Sequence, residues 1–444
     1  MKGYCDPFKG KKITVLGLGL LGRGVGDVEF LATCGADIVA TDTKTEADLA
    51  ESVAKLQKHS NITFHLGGHD INDFTNCDMV IKAAGVPLDS REIAAARAAH
   101  IPVTMSTALF AKHAMETGAE IVGVTGTRGK STVAHMIFHV LQKAGKRALL
   151  GGNVRGVSTL AMLPEVEAGD IAVLELDSWQ LQGFGDLKIS PHIGVFTNLM
   201  PDHQNYYSDM DTYFSDKANI FRYQKPGDSL FVGASVLEKV QAARPPVAPR
   251  IPDAIPDDWN LFIPGIHNRE NAAFAAAALR RLGLSDEQIR LGLESFEGVE
   301  GRLQFVREVD GVKIYNDNNA TTPEATLAAL RALGENITLI IGGSEKNLPL
   351  EDLVSEIKNR VSHVILLTHP KYQGSERLAS ELTTAGVPFE GTEDLESAVA
   401  EAMGQKGKKG GKGTILFSPA FASFGMFKNE YERNDEFLRL VRAL

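Results

Sequence analysis

The stretch IVGVTGTRGKSTVAHMIFHVL at 121–141 passes from a β-branched apolar run through a glycine turn into a helical pattern. IVGVT predicts a buried strand. The turn Gly126-Thr127-Arg128-Gly129-Lys130-Ser131-Thr132 ends in the GK[ST] of a phosphate-binding loop, although Val124 stands where the full G-x-x-x-x-G-K-[ST] has its first glycine. In such a loop the backbone amides cradle phosphates, Lys130 reaches the β and γ oxygens and Ser131 holds Mg²⁺. Val133, Met136, Ile137, Val140 and Leu141 recur at i, i+3, i+4, i+7 and i+8, so a packed helix starts at the lysine. Strand, phosphate loop and helix in that order predict an α/β fold with a parallel sheet. The plain alternative is a glycine turn with no ligand.

Outward from this loop, the same segment carries the other groups that a Mg-ATP site requires. Glu175 interrupts the apolar run from Ile171 to Leu176, where a carboxylate near a strand end can be a second Mg²⁺ ligand. A solvated strand-end acid is the alternative there. After HIGVFTN at 192 come Asn198-Leu199-Met200-Pro201-Asp202-His203, and Lys217 follows in a predicted helix. A lone histidine is more often structural, yet ligands of open α/β sheets collect beyond the carboxyl ends of strands, where Lys130, Glu175 and His203 all fall.

A second glycine turn lies near the start. ITVLG at 13 leads into Gly17-Leu18-Gly19-Leu20-Leu21-Gly22, a G-x-G-x-x-G, and Asp42 ends the next strand. Alone, it reads as a dinucleotide fingerprint with the acid on a ribose hydroxyl. An NAD-dependent oxidoreductase, however, leaves the phosphate loop, Glu175, His203 and Lys217 without a use.

Strand-like runs at 13, 37, 79 and 102 alternate with helical segments. A second series begins at AEIVGVTG, and a third restarts with VKIYNDN at 312, ITLIIGG at 337, SHVILLTH at 362 and TILFSPA at 414. Domain boundaries near 108 and 298 follow, giving spans 1–108, 109–298 and 299–444. AARPPVAPRIPDAIP at 242–256 reads as a surface excursion, and GQKGKKGGKG at 404–413 as a flexible basic connector. With 46 Lys and Arg against 56 Asp and Glu, the net charge of -10 argues against a nucleic-acid-backbone binder. Apolar residues at 43% and charged residues at 23% exclude a wholly disordered chain. Cys5, Cys34 and Cys77 are too few and too scattered to indicate a disulfide framework or a zinc site, which fits a reducing cytoplasm. The start, MKGYCDPFKGKK, lacks the apolar core of a secretory signal, and no run of about 18 apolar residues occurs, so a soluble protein without membrane insertion is expected.

Taken together, these motifs resemble the Mur ligase family, ATP-dependent amide-bond formers of peptidoglycan synthesis. The resemblance spans essentially the whole chain. It rests on GTRGKST (126–132), GGN (151–153), LEL and SWQL (174–181), N-x-x-x-DH (198–203) and Lys217. It continues through HNRENA (267–272), GR (301–302), YNDNNATTPEAT (315–326), GGSEK (342–346) and SPAFASFGMFKN (418–429). The nearest member by length and motifs adds D-glutamate to UDP-N-acetylmuramoyl-L-alanine. A ligase of the same superfamily with another acceptor or amino acid, such as L-glutamate or a growing polyglutamate, is the alternative.

The resemblance implies a Rossmann-like N-terminal domain for the UDP substrate, a central P-loop ATPase with a parallel sheet, and a Rossmann-like C-terminal domain for the amino acid. The G-x-G-x-x-G then holds UDP and not NAD, with Gly19, Leu20, Asp42, Thr43 and Gly85 at UDP-contact positions and Asn153 at a substrate contact. ATP phosphorylates the substrate carboxylate, and the amine of the incoming glutamate attacks the acyl phosphate. Gly126 to Thr132 match the nucleotide positions. Lys130, Glu175, His203 and Lys217 match the catalytic ones, and Ser131, Glu175, His203 and Lys217 match ligands of two Mg²⁺ sites. Lys217 matches a lysine that becomes carbamylated in this family, which implies a depressed pKa for its free amine. Asn268 and Asn271 match the adenine side, Arg302 and Asp317 the C-terminal nucleotide contacts, and Thr321, Lys346, Ser423 and Phe424 the surroundings of glutamate. The sequence departs from the family at Leu21 (commonly Thr), Ala83-Ala84 (Ser-Pro), Asp177 (Ser), Asn319 (Lys) and Glu430 (aromatic). These departures bear on amino-acid specificity more than on reaction class. A monomer with a mobile C-terminal domain is implied.

Overall fold

The computed structural model describes residues 3–19, 22–202, 206–408 and 413–444, with backbone only at 406–408. A five-stranded sheet is built from β1 (Lys12–Leu16), β2 (Asp37–Asp42), β3 (Ile62–Leu66), β4 (Met79–Lys82) and β5 (Val103–Thr104), all parallel, in the order β3-β2-β1-β4-β5. Ile13, Val15, Ile38, Ala40, Val80 and Ile81 are buried, as strands covered on both faces demand. The strand order reverses at β1. The crevice beyond the carboxyl ends of β1 and β4 is therefore a topological switch point.

A second, six-stranded parallel sheet comprises β6 (Glu120–Thr125), β7 (Ala148–Gly152), β8 (Ile171–Glu175), β9 (Ile193–Phe196), β10 (Ser229–Val232) and β11 (Pro249–Arg250), in the order β11-β10-β9-β6-β8-β7. β6 lies between β8 and β9, so the loop after it opens between two other strand ends. The helix Lys130–Lys143 packs with Val133, Met136, Ile137, Val140 and Leu141 all at 0% exposure, the stripe expected from their spacing. Each such side chain contributes about 1.5–3 kcal/mol on burial. The Pro-rich stretch supplies β11 at the sheet edge, where a residue without an N–H is tolerated.

The third sheet holds β12 (Gln304–Val309), β13 (Val312–Asn316), β14 (Ile337–Ile341), β15 (Val361–Leu367), β16 (Glu390–Thr392) and β17 (Gly413–Phe417), ordered β12-β13-β17-β14-β15-β16. β12 is antiparallel to β13 and the remaining pairs are parallel. By packing, the chain divides into one unit of Met1–Ala254 with Asn271–Gly292 and another of Ile255–Glu270 with Leu293–Leu444.

Two expectations are corrected. Cys5 and Cys34 form a disulfide, with Cα atoms 4.9 Å apart, while Cys77 is free and buried. Their separation of 29 residues in sequence conceals that the first β-strand and helix return the chain to its start, with Cys34 capping the helix Arg23–Thr33. The expected connector at 404–413 is helical through Lys408, because Leu395–Lys408 continues into it, and residues 409–412 lie outside the described residues. Among the described residues no helix is long and apolar enough to cross a membrane.

Candidate active site

The loop after β6 is shaped by two glycines. Gly126 has φ +143° and a Cβ there would lie 2.0 Å from Thr197 Oγ1; Gly129 has φ +85° and a Cβ would lie 2.5 Å from Asn271 Oδ1. Any other L-residue is strained at both positions. The residues after β9 brace the loop from beneath. Thr127 N donates to Asn198 O (3.0 Å), Arg128 N to Asn198 Oδ1 (2.9 Å), and Thr197 Oγ1 to Arg128 O (2.6 Å). Thr127 Oγ1 donates to Met200 O (3.1 Å).

Two lysines converge on this loop. Lys130 Nζ donates to Gly126 O (2.9 Å) and Thr127 O (3.0 Å), and Lys217 Nζ donates to the same Gly126 O (2.9 Å). Lys217 closes the helix Met210–Lys217, is 1% exposed, and places its ammonium 4.7 Å from the Tyr213 ring centroid. Burial, reinforced by the charge of Lys130, pushes its amine well below the ordinary lysine range. Glu175 ends β8 in register with Val124 and is 2% exposed. Ser131 is buried in the first turn of the helix. Lys130, Ser131, Glu175 and Lys217 thus lie at or just beyond the β6 and β8 ends or against the loop, whereas His203 falls outside the described residues. Among the described residues no group of three or more His, Cys, Asp or Glu could hold a metal unaided. Mg²⁺ fits this donor set nonetheless, because it is commonly held by one or two carboxylates together with substrate phosphates and water.

Asp177, expected as a departure, has a structural task. It caps the helix Ser178–Leu187 in a reciprocal box, receiving Gln180 N (2.7 Å) while its own N–H donates to Gln180 Oε1 (3.2 Å). Asn268 and Asn271 lie on the helix Ile266–Arg281; Asn268 Nδ2 donates to Pro264 O (2.7 Å), and Asn271 is buried beside Gly129.

A cavity of about 230 Å³ lies at the β1–β4 switch point, lined among others by Gly17, Gly19, Arg23, Lys82, Thr107 and Gln180. Asp42 Oδ2 accepts the amides of Leu18 (3.0 Å) and Gly19 (3.2 Å), and Oδ1 that of Lys44 (3.0 Å). The carboxylate is 6% exposed and holds the glycine turn instead of facing solvent. Thr43 and Gly85 are exposed at strand ends, Asn153 is half-buried after β7, and Leu20 lies outside the described residues. Sequence reasoning passed over Arg23, Lys82, Thr107 and Gln180. Gln180 lies within the SWQL motif without being singled out, no motif marks Lys82 or Thr107, and the topology gathers all four.

In the second unit, Asp317 follows β13 and is buried with Ser418 Oγ (2.8 Å) and Leu303 N (2.9 Å) donating to it. Burial raises its carboxyl to about 7. Lys346 Nζ donates to Thr321 Oγ1 (3.1 Å), so two expected glutamate-side residues meet. Ser423 is buried, Phe424 is 61% exposed, and Arg302 is exposed. Asn319, where a lysine is common, is used structurally: its Nδ2 donates to Glu300 O (3.3 Å). Behind it Arg433 is fully buried, bonded through Nε to Asn318 Oδ1 (2.8 Å) and through Nη2 to Asn318 O (2.9 Å). Glu430 offers its carbonyl to Asn318 Nδ2 (2.8 Å).

Three family models match the chain in order. They describe a Mur ligase MurD-like N-terminal domain over residues 11–105, a Mur ligase middle domain over 124–243, and a Mur ligase glutamate ligase domain over 301–421. A UDP-N-acetylmuramoylalanine–D-glutamate ligase of Roseiflexus sp. (strain RS-1) is 36% identical over 475 aligned positions, covering 98% of this chain and 99% of that protein. The chain belongs to the Mur ligase family. A second similar Mur ligase, the UDP-N-acetylmuramoylalanine–D-glutamate ligase of Acetivibrio thermocellus, is 32% identical, covering 100% of this chain and 99% of its own. Among solved structures, the UDP-N-acetylmuramate-alanine ligase MurC of Thermotoga maritima matches this Mur ligase with a TM-score of 0.60 at 20% identity, covering 98% and 99% of the two chains. MurF ligase of the same organism, in complex with ADP, matches at 0.59 and 14%, covering 99% and 96%. At these identities the structures establish the shared α/β fold.

Proposed function

We propose that this Mur ligase adds D-glutamate to UDP-N-acetylmuramoyl-L-alanine with consumption of ATP, releasing ADP and phosphate. The observation that carries this reading is full-length identity of 36% and 32% to ligases bearing that activity in their names. The convergence of Lys130 and Lys217 on one loop carbonyl supports it. The spans 1–108, 109–298 and 299–444 serve as acceptor, nucleotide and amino-acid domains, and the enzyme acts as a cytoplasmic monomer, where ATP and nucleotide sugars are supplied.

A carboxylate is a poor electrophile until its oxygen becomes a leaving group. Transfer of the γ-phosphoryl group to the acceptor's alanine carboxylate supplies one. The amides at the start of the helix Lys130–Lys143 and the Lys130 side chain bind the β and γ oxygens and stabilise charge as the phosphoryl group moves. The glutamate amine then attacks the acyl carbon, the tetrahedral adduct expels phosphate, and an amide remains. Ser131 and Glu175 would hold Mg²⁺, which would supply neutralisation of phosphate charge. Lys217, being buried with a depressed amine, suits carbamylation, since only a neutral amine reacts with CO₂. Lys346 and Thr321 offer a cation and a hydroxyl to a glutamate carboxylate.

The reading is tested by phosphate release from Mg-ATP with UDP-N-acetylmuramoyl-L-alanine and D-glutamate, L-glutamate or no amino acid, with product mass as the check. Release dependent on D-glutamate with one glutamate added is expected. Turnover with L-glutamate alone overturns the stereochemical assignment, and no turnover with either overturns the reading.

A further inference from the structure

The following inference rests on the ligase reading and deepens it at the acceptor end. Gly22 (φ 79°, ψ -13°) and Gly129 (φ 85°, ψ -14°) stand in the same left-handed conformation immediately before a helix, and each is followed by a cation at the first helical position, Arg23 and Lys130. At the second turn that cation is the phosphate-loop lysine. At the first, the cation lines a cavity whose remaining described lining leaves a diphosphate short of positive charge.

The amides of Leu18 and Gly19, which in a phosphate loop would point at an anion, are bonded to the Asp42 carboxylate, whose own charge opposes one. Lys82, the other cation among the described lining residues, donates to Val86 O (3.2 Å) and lies in the field of Asp186, Asp177 and Asp216. Arg23 is differently placed. Its Nη1 donates to Asn153 Oδ1 (2.9 Å), while its Nε is shielded from solvent with no partner among the described residues. The carboxylate one turn further along, Asp27, is bonded to Ser158 Oγ (2.6 Å). A guanidinium carries five N–H groups in a planar fork, a geometry matched to adjacent phosphate oxygens.

We propose that Arg23 is the diphosphate-binding side chain for the nucleotide-sugar acceptor, and that its bond to Asn153 ties the end of β7 to the occupied cavity. The counterpart of Lys130 on the first sheet thus does for the acceptor's phosphates what Lys130 does for those of ATP.

Binding of UDP, uridine and ATP to the full chain is measured for wild type, Arg23→Leu and Arg23→Lys, beside thermal unfolding and kinetics with the full acceptor and D-glutamate. Arg23→Leu is expected to weaken UDP and raise acceptor KM by about 10- to 100-fold, the equivalent of one or two charge-assisted hydrogen bonds. Uridine and ATP are expected to change by less than about 3-fold, with Arg23→Lys recovering part of the UDP affinity. Unchanged UDP affinity, or equal weakening of UDP and uridine, overturns the assignment. So does a lowered Tm with parallel loss of UDP and ATP binding, the mark of a purely structural arginine. If Arg23→Leu fails to fold, Arg23→Gln reads the same comparison. A wild type that forms product while Arg23→Leu keeps UDP affinity sinks this inference alone; a wild type that neither binds UDP nor forms product sinks the ligase reading with it.

Discussion

In the turn at 126–131 two lysine side chains, those of Lys130 and Lys217, meet the carbonyl of Gly126, whereas in the turn that begins at Gly17 a carboxylate, that of Asp42, receives the amides of Leu18 and Gly19. Both turns leave a parallel strand and enter a helix through a left-handed glycine. The peptide groups nevertheless face opposite ways. One loop directs carbonyls at two lysine side chains, half-buried Lys130 and buried Lys217, and the other directs amides at a buried carboxylate. A glycine fingerprint therefore specifies a sharp strand–helix turn, and the side chain packed beneath it decides the charge the turn can receive.

The comparison breaks first at Lys130. Lys130→Ala is expected to lower kcat/KM by about 10³-fold or more, because in the proposed mechanism it is the cation that contacts the transferring phosphoryl group. An effect under about 10-fold, measured by phosphate release, would show that the first-position cation is dispensable. Lys217→Ala is expected to cost about 10²-fold, with partial recovery on adding short carboxylic acids that replace a carbamate. Activity neither reduced nor rescued would remove the anionic role from Lys217.

The glycines sharpen the comparison at smaller cost. Gly22 has open space where a Cβ would sit among the described residues, while at Gly129 a Cβ meets Asn271 Oδ1 at 2.5 Å. Gly22→Ala is therefore expected to cost only the left-handed backbone penalty, about 1–2 kcal/mol in unfolding free energy. Gly129→Ala is expected to cost more and to raise ATP KM by about 10-fold as Asn271 is displaced. Equal effects of the two on stability and ATP KM would dissolve the distinction.

The last effect is in pH. Burial holds the Asp27 carboxyl up to about 6, partly opposed by hydrogen bonds from Ser158 and Ser106 and the charge of Arg23. Its folded pKa lies above the unfolded value of about 3.9, so its contribution to stability is full below that value and is lost as pH rises through about 6. Asp27→Asn should flatten this slope, by on the order of 1–3 kcal/mol between pH 4 and 7. Parallel denaturation curves for wild type and variant across that range would assign the titration elsewhere.

The phosphate loop and the strands β1, β2, β4, β5, β6, β8, β9, β13, β14, β15 and β17 were legible because each is a short β-rich run beside a glycine turn or helical stripe. β3 (ITFHL) and β12 (QFVREV) were not, since alternating polar residues on an edge-proximal strand resemble a loop. At the site, Lys130, Ser131, Glu175 and Lys217 could be read from local pattern and family resemblance. Arg23, Lys82 and Gln180 could not, because they meet only through crossover connections between separate strands. Asp42 was read from the sequence as an acid for the nucleotide substrate, whereas its bonds to the turn's own amides depend on the pairing of β1 with β2. The Cys5–Cys34 pairing was hidden for the same reason.

That disulfide makes the first strand, the glycine turn and the helix bearing Arg23 into a closed ring of chain. A single protease cut between residues 6 and 33 would leave both pieces on one covalent body, and the glycine turn would part from its strand only after a reductant opened the ring.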